Sequence, residues 1–297
     1  MLYRRNFRRL LVGATLAVAG LNTSAASAQE RTGWALNRFD PAPTGDAFFT
    51  AEHPWYSQTR RFAVGLFGDY AINPLNLVRI DPGTSTETGS NAITGMFVLH
   101  AGAQVSFLDR VGVHLSLPVS LYQSGSSTGV TPLVAAADGP AVGDLRIGLR
   151  ARLFGHADQD VFSAHVGVNL FAPIGARASN TGDETLRVEP RLTLAGRGGP
   201  IRWSLTGSFQ VRSNVDVLNV ALGNDLRLTA AVGLVLADQR LVIGPEVYFF
   251  TPIRSYTDAQ SMRFASLQGD SPTFDPDQSG GEVFLGASYL EIGRAHV

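Results

Sequence analysis

Between residues 62 and 290 the chain repeats one pattern ten times. About ten residues alternate between apolar and polar or small, and then a connection follows. The clearest run is 111–122. Val111, Val113, Leu115, Leu117, Val119 and Leu121 hold one parity; Gly112, His114, Ser116, Pro118, Ser120 and Tyr122 hold the other. Successive side chains of a strand point to opposite faces, so this run predicts a strand with one wholly apolar face. In 144–154, Leu145, Ile147, Leu149, Ala151 and Leu153 oppose Arg146, Gly148, Arg150 and Arg152. In 201–212, Ile201, Trp203, Leu205, Phe209 and Val211 oppose Arg202, Ser204, Thr206, Ser208, Gln210 and Arg212. The remaining runs are 62–70, 95–107, 161–172, 186–195, 226–236, 241–250 and 282–290.

A soluble sandwich alternates in the same way, so the period alone does not fix the medium. The connections carry more information. Those at 108–110, 155–160, 196–200 and 237–240 are short; those at 71–94, 123–143, 173–185, 213–225 and 251–281 are long. Short and long connections therefore fall at opposite ends of the strands. Strands of about ten residues with that rhythm are what a bilayer asks of a bacterial barrel. The expected fold is all-β: an antiparallel up-and-down transmembrane β-barrel in an outer membrane, with about ten strands present. No other stretch offers about 18 uninterrupted apolar residues, so membrane helices are not expected.

Composition adds little to the choice of partner. The chain has 297 residues and a net charge of −1, and all 24 basic residues are Arg. Nucleic acid is not an expected partner. Cysteine is absent, which excludes disulfides and thiolate metal sites. Residues 1–28 read as a signal peptide: Arg4, Arg5, Arg8 and Arg9, an apolar core at 10–21, then Ala26-Ser27-Ala28 before Gln29. The general secretory route is expected. Residues 29–61 form a lead-in that carries Trp34, Phe39, Phe48, Phe49, Trp55 and Tyr56. The sequence leaves two roles open for it, a periplasmic segment or a plug in the lumen. Residues 62–290 are the barrel. Residues 291–297 are the translation of GAG ATC GGA AGA GCA CAC GTC, the opening of a common short-read sequencing adapter. The genuine frame is therefore expected to leave near Leu290.

Several pieces, in this order, resemble the barrel half of OmpA-family proteins of the myxobacterial type. They are Leu36-Asn37-Arg38-Phe39-Asp40-Pro41, Gly68-Asp69-Tyr70, 107–123, Gly143-Asp144-Leu145-Arg146-Ile147-Gly148, 173–196 with its Asn180-Thr181-Gly182-Asp183, and 241–248. The resemblance implies about twelve strands in the intact protein, then a linker and a soluble peptidoglycan-binding domain. It implies a non-enzymatic role in envelope integrity. No peptidoglycan-binding motif is present, so that contact is implied only through a missing domain. The expected partners are outer-membrane lipid and the secretion and barrel-assembly machinery; no cofactor is expected. With ten strands, two edges stay open unless the first and tenth pair.

Strand parity points Arg146, Arg150, Arg152, Arg187, Arg191, Arg202, Arg212 and Arg227 into the lumen, together with Asp69, Glu189 and Glu246. Buried charges must be paired or hydrated. Either they form ion pairs across adjacent strands and fill the barrel, or the Arg surplus lines a diffusion pore that prefers anions. A third reading is a lipid-modifying hydrolase: His114-Leu115-Ser116 resembles the His-x-Ser pair of lipid A deacylases. Both residues take the lumen face, however, while lipid lies outside. His100 and His165 also point inward. Asp275-Pro276-Asp277-Gln278-Ser279-Gly280 opens like a calcium loop, but position twelve is Gly286, where a bidentate acid is needed. Tyr70, Tyr122, Trp203, Phe209, Phe249 and Tyr289 are expected in interfacial girdles. Leu117→Arg should block insertion into lipid vesicles more than Ser116→Arg, because it sets a charge against lipid at about 2–4 kcal/mol. Equal insertion of the two variants would show the parity to be wrong.

Overall fold

The computed structural model describes residues 34–57, 61–80, 87–125, 135–213, 215–217, 220–237, 241–254, 273–274 and 280–289. The expected signal peptide at residues 1–28, residues 291–297 and positions 275–279 of the candidate calcium loop lie outside them. Ten long strands account for most of the described residues. They are β1 (Arg61–Ile80), β2 (Glu87–Phe107), β3 (Val111–Ser124), β4 (Leu145–Phe154), β5 (Ser163–Ala172), β6 (Arg187–Gly198), β7 (Ile201–Gln210), β8 (Asn224–Leu236), β9 (Leu241–Arg254) and β10 (Gly280–Tyr289). Each pairs antiparallel with the next in sequence, so the sheet is up-and-down throughout. It curls into a strongly bent half-barrel. Among the described residues, β1 and β10 are its two edges and do not pair with each other.

The short connections turn within a few residues because their backbones enter the left-handed region. Leu108 and Asp109 have φ of 56° and 52°, Gly155 has 68°, Gly199 has 60° and Ala237 has 48°. Two successive residues at positive φ give the turn whose twist matches the flanking strands. One expected loop is not a loop. Much of 71–94 continues the first hairpin: β1 runs on to Ile80 and β2 starts at Glu87, across register shifts between Ile72 and Asn76. The alternation weakens there while the backbone ladder carries on.

Burial is inverted relative to a soluble domain. The convex face is apolar: Leu115, Ile147 and Leu170 lie in register and are all exposed. The concave face is polar and buried: Arg150 is 1% exposed, Gln210 0% and Glu189 1%. Most of the described buried apolar side chains outside the sheet belong to the lead-in, namely Trp34, Phe39, Ala47, Phe48, Ala51 and Trp55. A small apolar core joins Ala47, Phe48 and Ala51 to Ala231 of β8 and Val242 of β9.

Concave glycines make this packing fit. A Cβ on Gly148 would stand 2.5 Å from Asn169 Oδ1 and would collide with the His114 ring. Gly148→Val should therefore destabilise the fold by about 1–3 kcal/mol, read as a lower midpoint in chemical unfolding. An unchanged midpoint would mean that His114 and Asn169 do not pack across this strand.

Candidate functional site

The concave side is organised by one row of register partners. Gly112, Arg150, Gly167, Arg191, Ser208, Arg227 and Phe250 follow each other across β3, β4, β5, β6, β7, β8 and β9. Arginines sit on every second strand, separated by small or neutral residues. No guanidinium in this row has an acid directly beside it across a strand pair. For Arg150, Arg191 and Arg227 the expected ion pairs across adjacent strands do not form, because their lateral neighbours carry no charge. Space is available only toward the centre of the curl.

Residues 34–57 occupy that centre. At the long-loop end, Ala35 N donates to Asp183 Oδ1 at 3.1 Å and Leu36 N to Asn180 O at 3.2 Å. At the short-turn end, Asp109 N donates to Ser57 O at 2.9 Å. The segment therefore runs through the lumen from one mouth to the other. On the way it supplies one carboxylate to each arginine of the row. Arg227 Nη1 donates to Asp40 at 2.6 Å, and both Arg150 terminal nitrogens donate to Asp46 at 2.7 Å. Arg191 pairs with Glu52. Arg146 Nη2 donates to the Pro41 carbonyl at 2.6 Å. In return, Glu246 of β9 accepts from Phe49 N at 2.9 Å, from Thr50 N at 2.7 Å and from Thr50 Oγ1 at 2.8 Å.

The segment's own shape is fixed by a tight loop. Ala42 N donates to Phe49 O at 2.7 Å and Asp46 N to Pro43 O at 3.1 Å. Gly45, at φ 89°, turns the chain where a side chain would be strained. Thr44, at the tip, sits over Gly65 and Gly102, which are register partners on β1 and β2. A Cβ at Gly65 would come within 2.9 Å of Thr44, so these glycines form the seat of the loop. Phe39 touches both sheet edges, with ring centroids 5.5 Å from Phe67 of β1 and from Phe284 of β10.

The other predicted lumen residues take acids from the connections. Arg152 meets Asp109 at 2.9 Å, Arg187 meets Asp144 at 3.0 Å, Arg202 meets Asp158 at 3.3 Å and Arg212 meets Asp183 at 3.2 Å. Glu189 accepts from Arg191 at 3.0 Å and from Ser208 Oγ at 2.5 Å. Asp69 bonds His100 at 2.8 Å and accepts from Asn37 at 2.9 Å. His114 is committed to Asn169 at 3.1 Å rather than to Ser116, which lines a separate void. His165 bonds Ser163 at 2.8 Å. Among the described residues no group of three or more acids and histidines could hold a metal ion.

Voids remain beside the segment. One beside Arg38, Asp40, Ser116 and Arg187 holds about 40 Å³, one beside Glu52, Arg146 and Glu189 about 20 Å³, and one around Thr44 and Phe49, against Gly65, His100 and Arg146, about 180 Å³. The first two have space for one to a few waters. No protein-family model matches the chain, and no curated protein matches it.

The acids of the lead-in were missed as site residues. Their spacing was a usable signal: Asp40, Asp46 and Glu52 recur every six residues, facing a wall with eight inward arginines and three inward acids by parity. Asp46→Ala should cost about 3–5 kcal/mol, since it strands a buried guanidinium, and adding Arg150→Ala should recover part of that loss. Additive losses in an unfolding double-mutant cycle would rule out the pairing.

Proposed function

We propose that this protein is an integral β-barrel of a Gram-negative outer membrane. Its role is structural and non-enzymatic, of OmpA type, and its lumen is closed by its own residues 34–57. The observation that carries this reading is the inverted burial, an apolar convex belt around a buried polar interior. In water such a belt would be an exposed apolar patch far beyond what a monomer tolerates. In a bilayer it is the surface that lipid solvates.

Further support comes from the ends of the strands. Phe154, Phe162 and Trp203 cluster at the short-turn end, with ring centroids 5.7 and 5.9 Å apart. Tyr70 and Tyr122 are exposed toward the long-loop end. Aromatics at both ends of an apolar belt suit the two interfaces of a membrane. The passage of residues 34–57 through the lumen, bonded to the wall along its length, favours a closed barrel over an open diffusion pore in the plugged state. A hydrolase acting on lipid would need His114 and Ser116 on the lipid side, and both are buried on the concave side. Anchoring to peptidoglycan, which the OmpA resemblance implies, would need a domain beyond the barrel.

A bilayer does not accept open strand edges. The reading therefore requires β1 and β10 to be joined there, either to each other or through further strands. The test is refolding of the chain into phosphatidylcholine vesicles, followed by protease digestion and an unheated gel. The expected result is a protease-resistant, heat-modifiable band and no conductance in a planar bilayer at low applied voltage. A protein that stays soluble and monomeric without lipid would sink the membrane reading.

A further inference from the structure

We propose that residues 34–57 are a displaceable plug, and that its release gives the barrel a further activity: conduction of small hydrated anions. The inference rests on the membrane-barrel reading above. Three observations point to it. First, the plug is held to the wall mainly by polar contacts that water and ions can replace. Its deepest anchors are the three acid–arginine pairs and the Glu246 clasp. Its apolar contacts with the wall include the cluster around Phe48 at the short-turn end and the rings of Phe39 and Phe49 against Phe67 and Phe284 at the two sheet edges.

Second, the wall without the plug carries an unbalanced ring. The acids near Arg150 are Asp46 and Glu52, both from the plug. Arg227 would keep only Asp225 at 3.8 Å, and Arg191 only Glu189. Arg146 would lose the Pro41 carbonyl. Four arginines, Arg146, Arg150, Arg191 and Arg227, would then face three wall acids, Glu189, Asp225 and Glu246. A ring of arginines in a confined pore selects anions.

Third, the wall carries polar groups that solvent in a vacated lumen would satisfy. A lumen that holds a polypeptide with its side chains has room for hydrated ions once that polypeptide leaves. Several buried polar atoms have no protein partner while the plug is in place: both ends of the Gln104 amide, Ser106 Oγ, Nδ1 of His114 and of His165, and Nε of Arg150. These groups line one side of the curl, and water entering a vacated lumen would satisfy them.

The seat of the plug supplies a reversible lock. An ideal Cβ at Gly102 stands 3.4 Å from Thr44 Cβ, close to the separation a disulfide needs. The chain has no cysteine of its own. The double variant T44C/G102C can therefore be closed by oxidation and freed by reduction. It would be refolded into vesicles, checked for the heat-modifiable band and fused to a planar bilayer under a potassium chloride gradient. Openings should appear on reduction and under applied voltage, vanish on oxidation, and reverse at a potential on the chloride side. The isosteric variant D40N/D46N/E52Q should open more often than the reduced double variant. A barrel that inserts but stays silent when reduced overturns the plug inference, as do openings that ignore oxidation or prefer potassium. If neither variant inserts although the wild type does, wild-type currents at raised voltage decide: silence counts against the inference and anion-selective openings for it. Failure of the wild type to insert instead overturns the membrane reading.

Discussion

The structure depends on the match between one ring of arginines on the wall and one set of carboxylates on a strand of chain inside it. Arg150, Arg191 and Arg227 cannot be neutralised sideways, because their register partners are Gly, Ser and Phe. A buried guanidinium without a partner is expensive. The lead-in resolves this by bringing Glu52, Asp46 and Asp40 to the three sites. Much else follows from that match. The lead-in becomes part of the fold, the lumen fills, and the glycines at 65 and 102 become a seat rather than weak points of a strand.

Polar contacts in a filled barrel behave differently from an apolar core. Apolar packing is non-directional and gains from water's exclusion. The contacts of this lumen are directional, and each leaves a charged group stranded if it is lost. The interior is consequently specific in register yet open to competition from ions and water. The Phe48 cluster at the short-turn end adds the apolar part of the anchorage. Phe39 adds another contact, bridging the two free edges of the sheet from inside.

Much of this was legible along the chain. The alternation at 111–122 and 201–212 defined strands and faces, since parity needs only local sequence. The hairpin at 71–94 was misread as a loop because its ladder persists where the apolar alternation fades. Parity also showed that the lumen arginines outnumber the acids of the strands. It could not say where the missing negative charge would come from. That depends on which strands lie side by side, and on what lies between the walls.

The sequence by itself therefore determined the strands, the turns and the two faces, because a period of two and a few left-handed residues are local properties. Tertiary structure decided the fate of residues 34–57 and of the arginine ring. Only register shows that Arg150 stands between Gly112 and Gly167, and only the curled sheet brings Asp46 within 2.7 Å of it. Those partners are 104 residues apart in the chain, a distance no local pattern can encode.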